Sequence, residues 1–369
     1  MKRKRTIFTF LVCLIVATVM LVGCTVEEEP APAPAPTPAP EPAPAPEPEP
    51  EILELTISSH NPPEGPPGES IDAWAAWVEE QTGGKPAVTV YHGGALLKGD
   101  EAFRGTQTGV ADVAYYVMDR QQGFLLNMVI TLPFMGFPDQ RTTGLIYGDL
   151  LDEFPEMVNE WEGRDVKLVA WMMMPGTQIH NMVKDVRTPA DLAGLSIHCA
   201  EATNAEVVEA AGGTAAELDI ADMFMSLETG LLDGIFNHFP VLFVFGVIEL
   251  PTYHTIFGDD GINMNPMCII MNNDVFNDLP PDVQGVIEDS APIWHDMFLG
   301  ADLGFQGFTM GMCIDRGDSF VYLTPEEIGV WRDLVKGPVH DEWIAECEAA
   351  GLPGQAVYDR ALELIEEYK

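Results

Sequence analysis

The sequence predicts an α/β protein of two domains, with parallel sheets covered by helices on both faces. Short apolar runs alternate with amphipathic stretches over most of residues 52–369. Glycines close the amphipathic stretches, and polar residues stand at the exits of the apolar runs. In open α/β sheets, ligands bind outside those exits. Residues 52–369 are enough chain for two domains of ordinary size.

Leu53, Leu55 and Ile57 alternate as a first strand, whose exit is Ser58-Ser59-His60-Asn61. A Pro/Gly-rich loop, 62–68, precedes a helix with Ile71, Trp74, Trp77 and Val78 on one face, and Gly83-Gly84 stops it. Ala87 to Tyr91 reads as the second strand. Gly99-Asp100 starts a helix reaching Thr108, and Ala111 to Val117 is a buried strand. Its exit carries Tyr115, Tyr116, Met118 and Arg120, and strand alternation turns only one of the tyrosines toward a given side. Gly144 to Glu160 is an amphipathic helix, and Val166 to Met174 a strong strand.

The densest stretch runs from Thr188 to Asn237. Thr188 caps a short helix, Pro189 suits its first turn, and the Asp191 carboxylate favours the positive helix end. Gly194 releases the chain into an apolar run that exits at His198. A second helix, Asn204 to Ala211, ends at Gly212-Gly213. A third starts behind Asp219 and Asp222 and ends at Gly230, a left-handed C-cap. Asp233-Gly234 leads into a strand that ends at Asn237. Ile262 to Met271 is another strand, and Pro280-Pro281-Asp282 opens a long helical region. The closing helices, Glu326 to Ala350 and Gln355 to Tyr368, read as braces.

The amino terminus is of a different kind. Lys2-Arg3-Lys4-Arg5 precedes an apolar run from Phe8 to Val22, the layout of a secretory signal. The run closes on Leu21-Val22-Gly23-Cys24, which resembles the bacterial lipoprotein processing box, so 1–23 reads as a lipoprotein signal peptide and Cys24 as the lipidated first residue. Residues 24–51 continue as Pro, Ala and Glu repeats that build no core and form a semi-rigid spacer. The formal net charge of −40 argues against nucleic acid or anionic headgroups as partners. Cys199, Cys268, Cys313 and Cys347 are widely spaced, with no Cys-x-x-Cys pair to hold zinc. Disulfides and free buried thiols are both compatible with export. No Gly-x-Ser-x-Gly, His-Glu-x-x-His, Walker or dinucleotide glycine loop is present, so neither a catalytic set nor a cofactor site is expected.

Thr188-Pro189-Ala190-Asp191-Leu192-Ala193-Gly194-Leu195-Ser196-Ile197, then Gly213-Thr214, then Ser226 to Asn237 follow a known pattern in order and spacing, with Ser226 standing where the pattern has alanine. So do Tyr91 to Leu96, Gly109 to Asp112, Leu132-Pro133-Phe134 and Met271-Asn272. The chain thereby resembles the solute-binding subunit of TRAP (tripartite ATP-independent periplasmic) transporters, the dicarboxylate-binding-protein (DctP-like) family, over most of 52–315. The resemblance implies a periplasmic-binding-protein-like fold with a ligand cleft between two domains and long bracing helices. It places domain I at 52–174 plus 262–303 and domain II at 175–261 plus 304–369, with crossings near Pro175 and Gly261. It implies an extracytoplasmic protein, tethered to the membrane through Cys24, that closes on a small organic solute and delivers it to a TRAP-type permease. The other readings are a ligand-presenting sensor for a receptor and an exported enzyme on the same scaffold.

In the family, the strand exit after Gly-Leu-x-Ile is normally an arginine that grips the ligand carboxylate; here it is His198. A second common arginine falls on Gln178. The expected ligand contacts are therefore His198, Gln178 and Asn237, the last matching the family's ligand-orienting asparagine. Tyr115, Tyr116, Met118, His60 and Asn61 are expected as the opposite wall, with Glu201 and Asp219 nearby. Without two guanidinium forks, a neutral, cationic or largely aromatic ligand is expected. Arg120 or a bridging cation would be needed to hold a simple acid.

Overall fold

The computed structural model describes residues 53–118, 123–199, 202–216, 218, 222–258 and 260–369. The signal segment, Cys24, the Pro/Ala/Glu linker, Arg120, Glu201 and Asp219 lie outside the described residues.

Two sheets organise the chain. The first holds β1 (Glu54–Ser58), β2 (Ala87–Tyr91), β3 (Val113–Val117), β4 (Val166–Met173) and, much later, β10 (Pro266–Asn272), in the order β2-β1-β3-β10-β4. The second holds β5 (Gln178–Asn181), β6 (Ser196–Cys199), β7 (Thr214–Ala216), β8 (Gly234–Asn237), β9 (Tyr253–Ile256) and β11 (Ser319–Tyr322), in the order β11-β9-β5-β8-β6-β7. The sheets are not wholly parallel as the alternation predicts. β10 runs antiparallel to β3 and β4, and β5 antiparallel to β8 and β9. The reason is the path of the chain. β5 and β10 are the strands that follow a crossing between sheets, so each enters from the edge where its parallel neighbours end. Both sheets thus bring the carboxyl ends of their parallel strands to one shared border.

The two crossings are paired with each other. Met174 N donates to Asn265 O (2.9 Å), Thr177 N to Asn263 O (2.9 Å) and Ile262 N to Thr177 O (2.9 Å). The Asn263 amide donates on one side to Thr131 O (3.0 Å) and on the other to Asn204 Oδ1 (2.9 Å). Gly176 and Gly261 pass in direct contact: a Cβ on Gly176 would stand 2.3 Å from the Asp260 backbone, and one on Gly261 2.5 Å from that of Gly176. Backbone cannot yield as a side chain does, so Gly176→Ala is expected to cost about 1–3 kcal/mol by overpacking. Urea denaturation would read this as a lower midpoint at unchanged slope; an unchanged midpoint would show that the crossings separate freely.

Helices cover both faces of each sheet, for the reason the apolar spacing gives. On one face of the first sheet, α1 (Pro66–Gln81) packs Ile71, Trp74 and Val78. The other face takes α2 (Ala102–Gln107), α3 (Gln140–Glu153) and α4 (Pro155–Glu162), through Phe103, Tyr147 and Trp161. Residues 144–160 are therefore two helices and not one, because Pro155 forces Phe154 into an extended backbone and restarts the helix. Over the second sheet lie α5 (Ala202–Ala210) on one face, and α6 (Met223–Glu228) and α7 (Phe239–Val244) on the other. The Thr188–Asp191 cap and the left-handed Gly230 (φ 71°) form as the sequence predicts.

α8 (Asn273–Asp278) and α9 (Pro281–Glu288) lead to α10 (Ala291–Arg316), about 39 Å long at 1.5 Å per residue. Its first half packs Trp294 and Phe298 on the first sheet; its last turns bury Cys313 beside the second. The expected helix 326–350 is α11 (Pro325–Val335) and α12 (Glu342–Ala349), separated by a π-helical turn at Lys336–Asp341. Pro338 lacks the N–H that a regular turn needs there. α13 (Gly354–Glu367) closes the chain. These braces divide between the sheets instead of all joining the second. Trp331 Nε1 donates to Arg187 O, but His340 Nε2 donates to Pro133 O, Trp343 Nε1 to Leu125 O, and Arg360 pairs with Glu153 of α3. Cys199, Cys268, Cys313 and Cys347 are all buried, and Cys268 and Cys313 are free thiols. Among the described residues no helix is long and apolar enough to cross a membrane.

Candidate ligand-binding site

Three adjacent strands, β5, β8 and β6, carry Gln178, Asn237 and His198 to the border of the second sheet. Gln178 and Asn237 stand opposite each other, and His198 lies deeper, across from Ile235. The Gln178 carboxamide is engaged at both ends: its oxygen accepts from Phe257 N (2.8 Å) and its nitrogen donates to Gly258 O (3.0 Å). It prolongs the β5–β9 ladder into the second crossing. A guanidinium could not do this, because it offers no acceptor. The imidazole of His198 is fully buried, with Nε2 donating to Leu218 O (2.9 Å). Asn237 Oδ1 accepts from His238 N (2.9 Å), and its carbonyl accepts from His180 Nε2 (3.1 Å).

Behind this border runs a buried chain that sequence spacing alone does not reveal. His180 Nδ1 meets His254 Nδ1 at 2.8 Å, and His254 Nε2 meets Asp318 Oδ2 at 3.0 Å. Arg316 closes it, with Nε on Asp318 Oδ1 (2.8 Å) and Nη2 on Oδ2 (2.5 Å). One ring nitrogen faces a carbonyl, one faces a carboxylate, and two face each other, so all three contacts are hydrogen bonds only with three protons on the pair. Burial opposes this by pushing both imidazoles down, His180 furthest, while the Asp318 carboxylate pulls His254 back up. Arg316 and His254 together hold Asp318 below the usual carboxylate range against burial. His254, Cys313 and Asp318 bring ligand atoms within 4.8 Å of one another. Asp318 is already taken by a guanidinium and an imidazole, which marks the group as an ion-pair cluster and not as a cradle for a cation.

At the border of the first sheet, alternation splits the predicted wall. Tyr116 and Met118 point into the layer of Phe103, Phe124 and Trp161, where the Tyr147 hydroxyl reaches Met118 Sδ (3.9 Å). Tyr115 points the other way, under α10, with its ring against His60 (5.4 Å) and Trp294 (6.1 Å). Asn61 follows His60 at that exit, and burial raises the pKa of the Tyr115 hydroxyl well above its ordinary value. His60, Asn61 and Tyr115 are thus brought together, while Tyr116 and Met118 belong to the core on the opposite face.

Asp302 of α10 stands in the same layer and was missed by the sequence reading. It is 1 % exposed. Oδ2 accepts from Gln140 Nε2 (3.2 Å), whose other bond goes to Met173 O (2.8 Å), and Oδ1 is buried without a partner. Burial lifts its carboxyl to about 6, against the Gln140 hydrogen bond. The signal was available: Trp294, Phe298, Asp302, Thr309 and Cys313 share one buried stripe, and Asp302 is its only acid. A separate crevice of about 590 Å³ opens between the Pro62–Glu69 segment, α7 and α10, lined by Phe243, Phe305 and Phe308. It includes none of the residues predicted for the site.

Comparison with known proteins gives the following. A family model described as "Bacterial extracellular solute-binding protein, family 7" matches residues 57–346. A solute-binding protein of Chromohalobacter salexigens is 24 % identical over 198 residues, spanning 53 % of this chain and 58 % of that protein. A TRAP solute-binding protein from Rhodoferax ferrireducens, solved with copurified benzoate, superposes with a TM-score of 0.78 at 18 % identity, covering 86 % of this chain and 98 % of that one. A marine-metagenome TRAP solute-binding protein specific for aromatic acids, solved with 3-hydroxybenzoate, gives 0.77 at 21 %, covering 86 % and 99 %.

Proposed function

Because the chain belongs to family 7 of the bacterial extracellular solute-binding proteins, we propose that it captures a small organic solute at the border of its two sheets. It then hands that solute to a TRAP-type permease. Cys24 anchors it by lipid to the membrane, and the Pro/Ala/Glu spacer gives it reach. One lobe comprises 52–174 and 262–303 and the other 175–261 and the first part of 304–369, with α12 and α13 packed back on the first lobe. The protein binds and releases without chemical transformation. The observation that carries this reading is the pair of crossings, 174–177 and 257–265, hydrogen-bonded to each other where both sheets present their strand ends. Paired crossings permit rotation of one lobe on the other with little backbone strain.

The ligand is a small aromatic or hydroxylated solute gripped mainly by neutral groups. What supports this is the engagement of Gln178 and His198 by backbone, which leaves neither family anchor position with a permanent cation. The benzoate and 3-hydroxybenzoate of the two solved relatives give the scale of molecule. Small-angle scattering is expected to show compaction on adding a solute that raises the melting temperature. A profile unchanged at saturation would overturn hinge closure. In a thermal-shift screen at pH 8, with and without chelator, neutral or cationic aromatics are expected to match or exceed their carboxylate counterparts. If simple carboxylates stabilise best, and neither chelator nor Arg120→Ala removes the effect, the neutral-grip argument is wrong.

A further inference from the structure

A buried carboxylate with one oxygen unpaired is costly, and native proteins pair such oxygens unless something else calls for them. Asp302 has no such pairing. Among the described residues only Gln140 donates to it, through Oδ2. Of the charged side chains on its own and the facing helix, Asp296 and Arg141 are exposed and paired with each other, and the buried imidazole of His295, beside Gln140, is pushed down to about 4 by burial and carries no charge at pH 8. The residue stands where α10 leaves the first sheet for the second. Gln140 ties it to Met173 O, the last residue before the first crossing. Asn265, the last residue of the second crossing, binds Met174 through its carbonyl and has its own Oδ1 buried without a partner. Tyr115, buried against Trp294 of the same helix, lies close enough to feel the Asp302 charge. Two unpaired acceptor oxygens therefore lie at the border of the sheets, one of them anionic.

We propose that Asp302 is a ligand-selecting residue, whose Oδ1 accepts a hydrogen bond from a hydroxyl or ammonium group of the bound solute while Gln140 holds Oδ2. This rests on the solute-binding reading and adds to it the part of the solute that is recognised. Gln140 orients the carboxylate by fixing one oxygen, so the other is presented in a single direction. The raised carboxyl, near 6, is the cost of keeping that acceptor dry in the unliganded protein. A donor on the solute removes the cost; a solute without one leaves it in place. The residue thus discriminates by what the wrong ligand leaves unpaired.

The test uses matched probes that differ by one donor: 3-hydroxybenzoate against benzoate, 3-hydroxybenzamide against benzamide, and 3-(aminomethyl)benzamide against 3-methylbenzamide. Titration calorimetry at pH 8 reads the affinity ratio within each pair, for wild type, Asp302→Asn and Asp302→Leu. At least one pair is expected to favour the donor by about tenfold or more in wild type, as for a hydrogen bond to a charged group. Both variants should bring that ratio below about threefold. Because the readout is a ratio within one protein, altered folding of a variant does not imitate it. A ratio near one in wild type, or one kept in both variants, overturns the inference. Equal binding within every pair does so while leaving the solute-binding reading intact, since that reading fails only if no solute binds and compacts the protein.

Discussion

Glu160→Ala is expected to cost the fold about 3–5 kcal/mol, the range for removing one side of a buried charged hydrogen-bond cluster. Glu160 is 9 % exposed and accepts from Leu125 N (2.9 Å), Leu126 N (2.9 Å), Asn127 N (3.1 Å) and Asn127 Nδ2 (2.6 Å). Those backbone donors stand at the start of a 3-10 turn, Leu126–Thr131, where the first N–H groups of a helical segment lack partners within it. Asn127 then spends its remaining groups on the core: its amide donates to Met157 O, and its oxygen accepts from Tyr147 and Trp161. Alanine would leave three backbone N–H groups dry and free Asn127 to turn. The loss corresponds to roughly 5–8 °C in melting temperature for a chain of this size. Glu160→Gln keeps one acceptor oxygen, so about half the loss is expected. Thermal denaturation followed by circular dichroism decides it; an alanine variant melting within about 2 °C of wild type would show that water replaces the carboxylate there. The consequence reaches the site, because this turn leads to Thr131, whose carbonyl holds Asn263 in the second crossing.

Local chemistry was legible in the sequence, and long-range pairing was not. The Thr188–Asp191 cap, the Gly230 stop and the opposite facing of Tyr115 and Tyr116 follow from neighbours a few residues apart. Motif order was enough for the family, since it survives substitution at the anchor positions. The antiparallel β5 and β10 escaped because strand direction depends on where the chain crosses, which no apolar period records. The break at Pro155 was readable in principle, and the amphipathic period hid it. Gln178 shows the limit most clearly. Sequence flags a lost arginine, but only the contact with Phe257 and Gly258 explains why an amide with both donor and acceptor fits. The chain from Asn237 through His180 and His254 to Asp318 joins four separate stretches, and none of them carries a spacing that points to the next. Asp302 is different again: its place on an apolar stripe was visible, and only burial of its second oxygen gives that place a meaning.

Asp302→Asn is expected to make the unliganded protein more stable at pH 8, by about 2–3 kcal/mol. The sign follows from the direction of the shift. Burial raises the folded carboxyl to about 6, whereas the unfolded chain titrates near 3.9. Between those values the native state binds more protons than the unfolded one, so stability falls as pH rises from about 4 to about 6 and stays low above. Two units correspond to about 3 kcal/mol, and the residue's near-complete burial leaves little screening to discount. Asparagine removes the charge at constant size and still accepts from Gln140, so the advantage should be largest at pH 8 and vanish near pH 4. Urea denaturation of both proteins across that range gives the difference directly, and every other titrating group cancels in it. A variant less stable than wild type at pH 8 would mean that the carboxylate is satisfied within the fold and serves it. A variant more stable there, with the gap closing on acidification, leaves a residue kept at the expense of the fold, as happens where function needs a strained or unpaired group. A solute that donates to Asp302 should then stabilise wild type more than the variant, so that saturating ligand narrows the gap at pH 8.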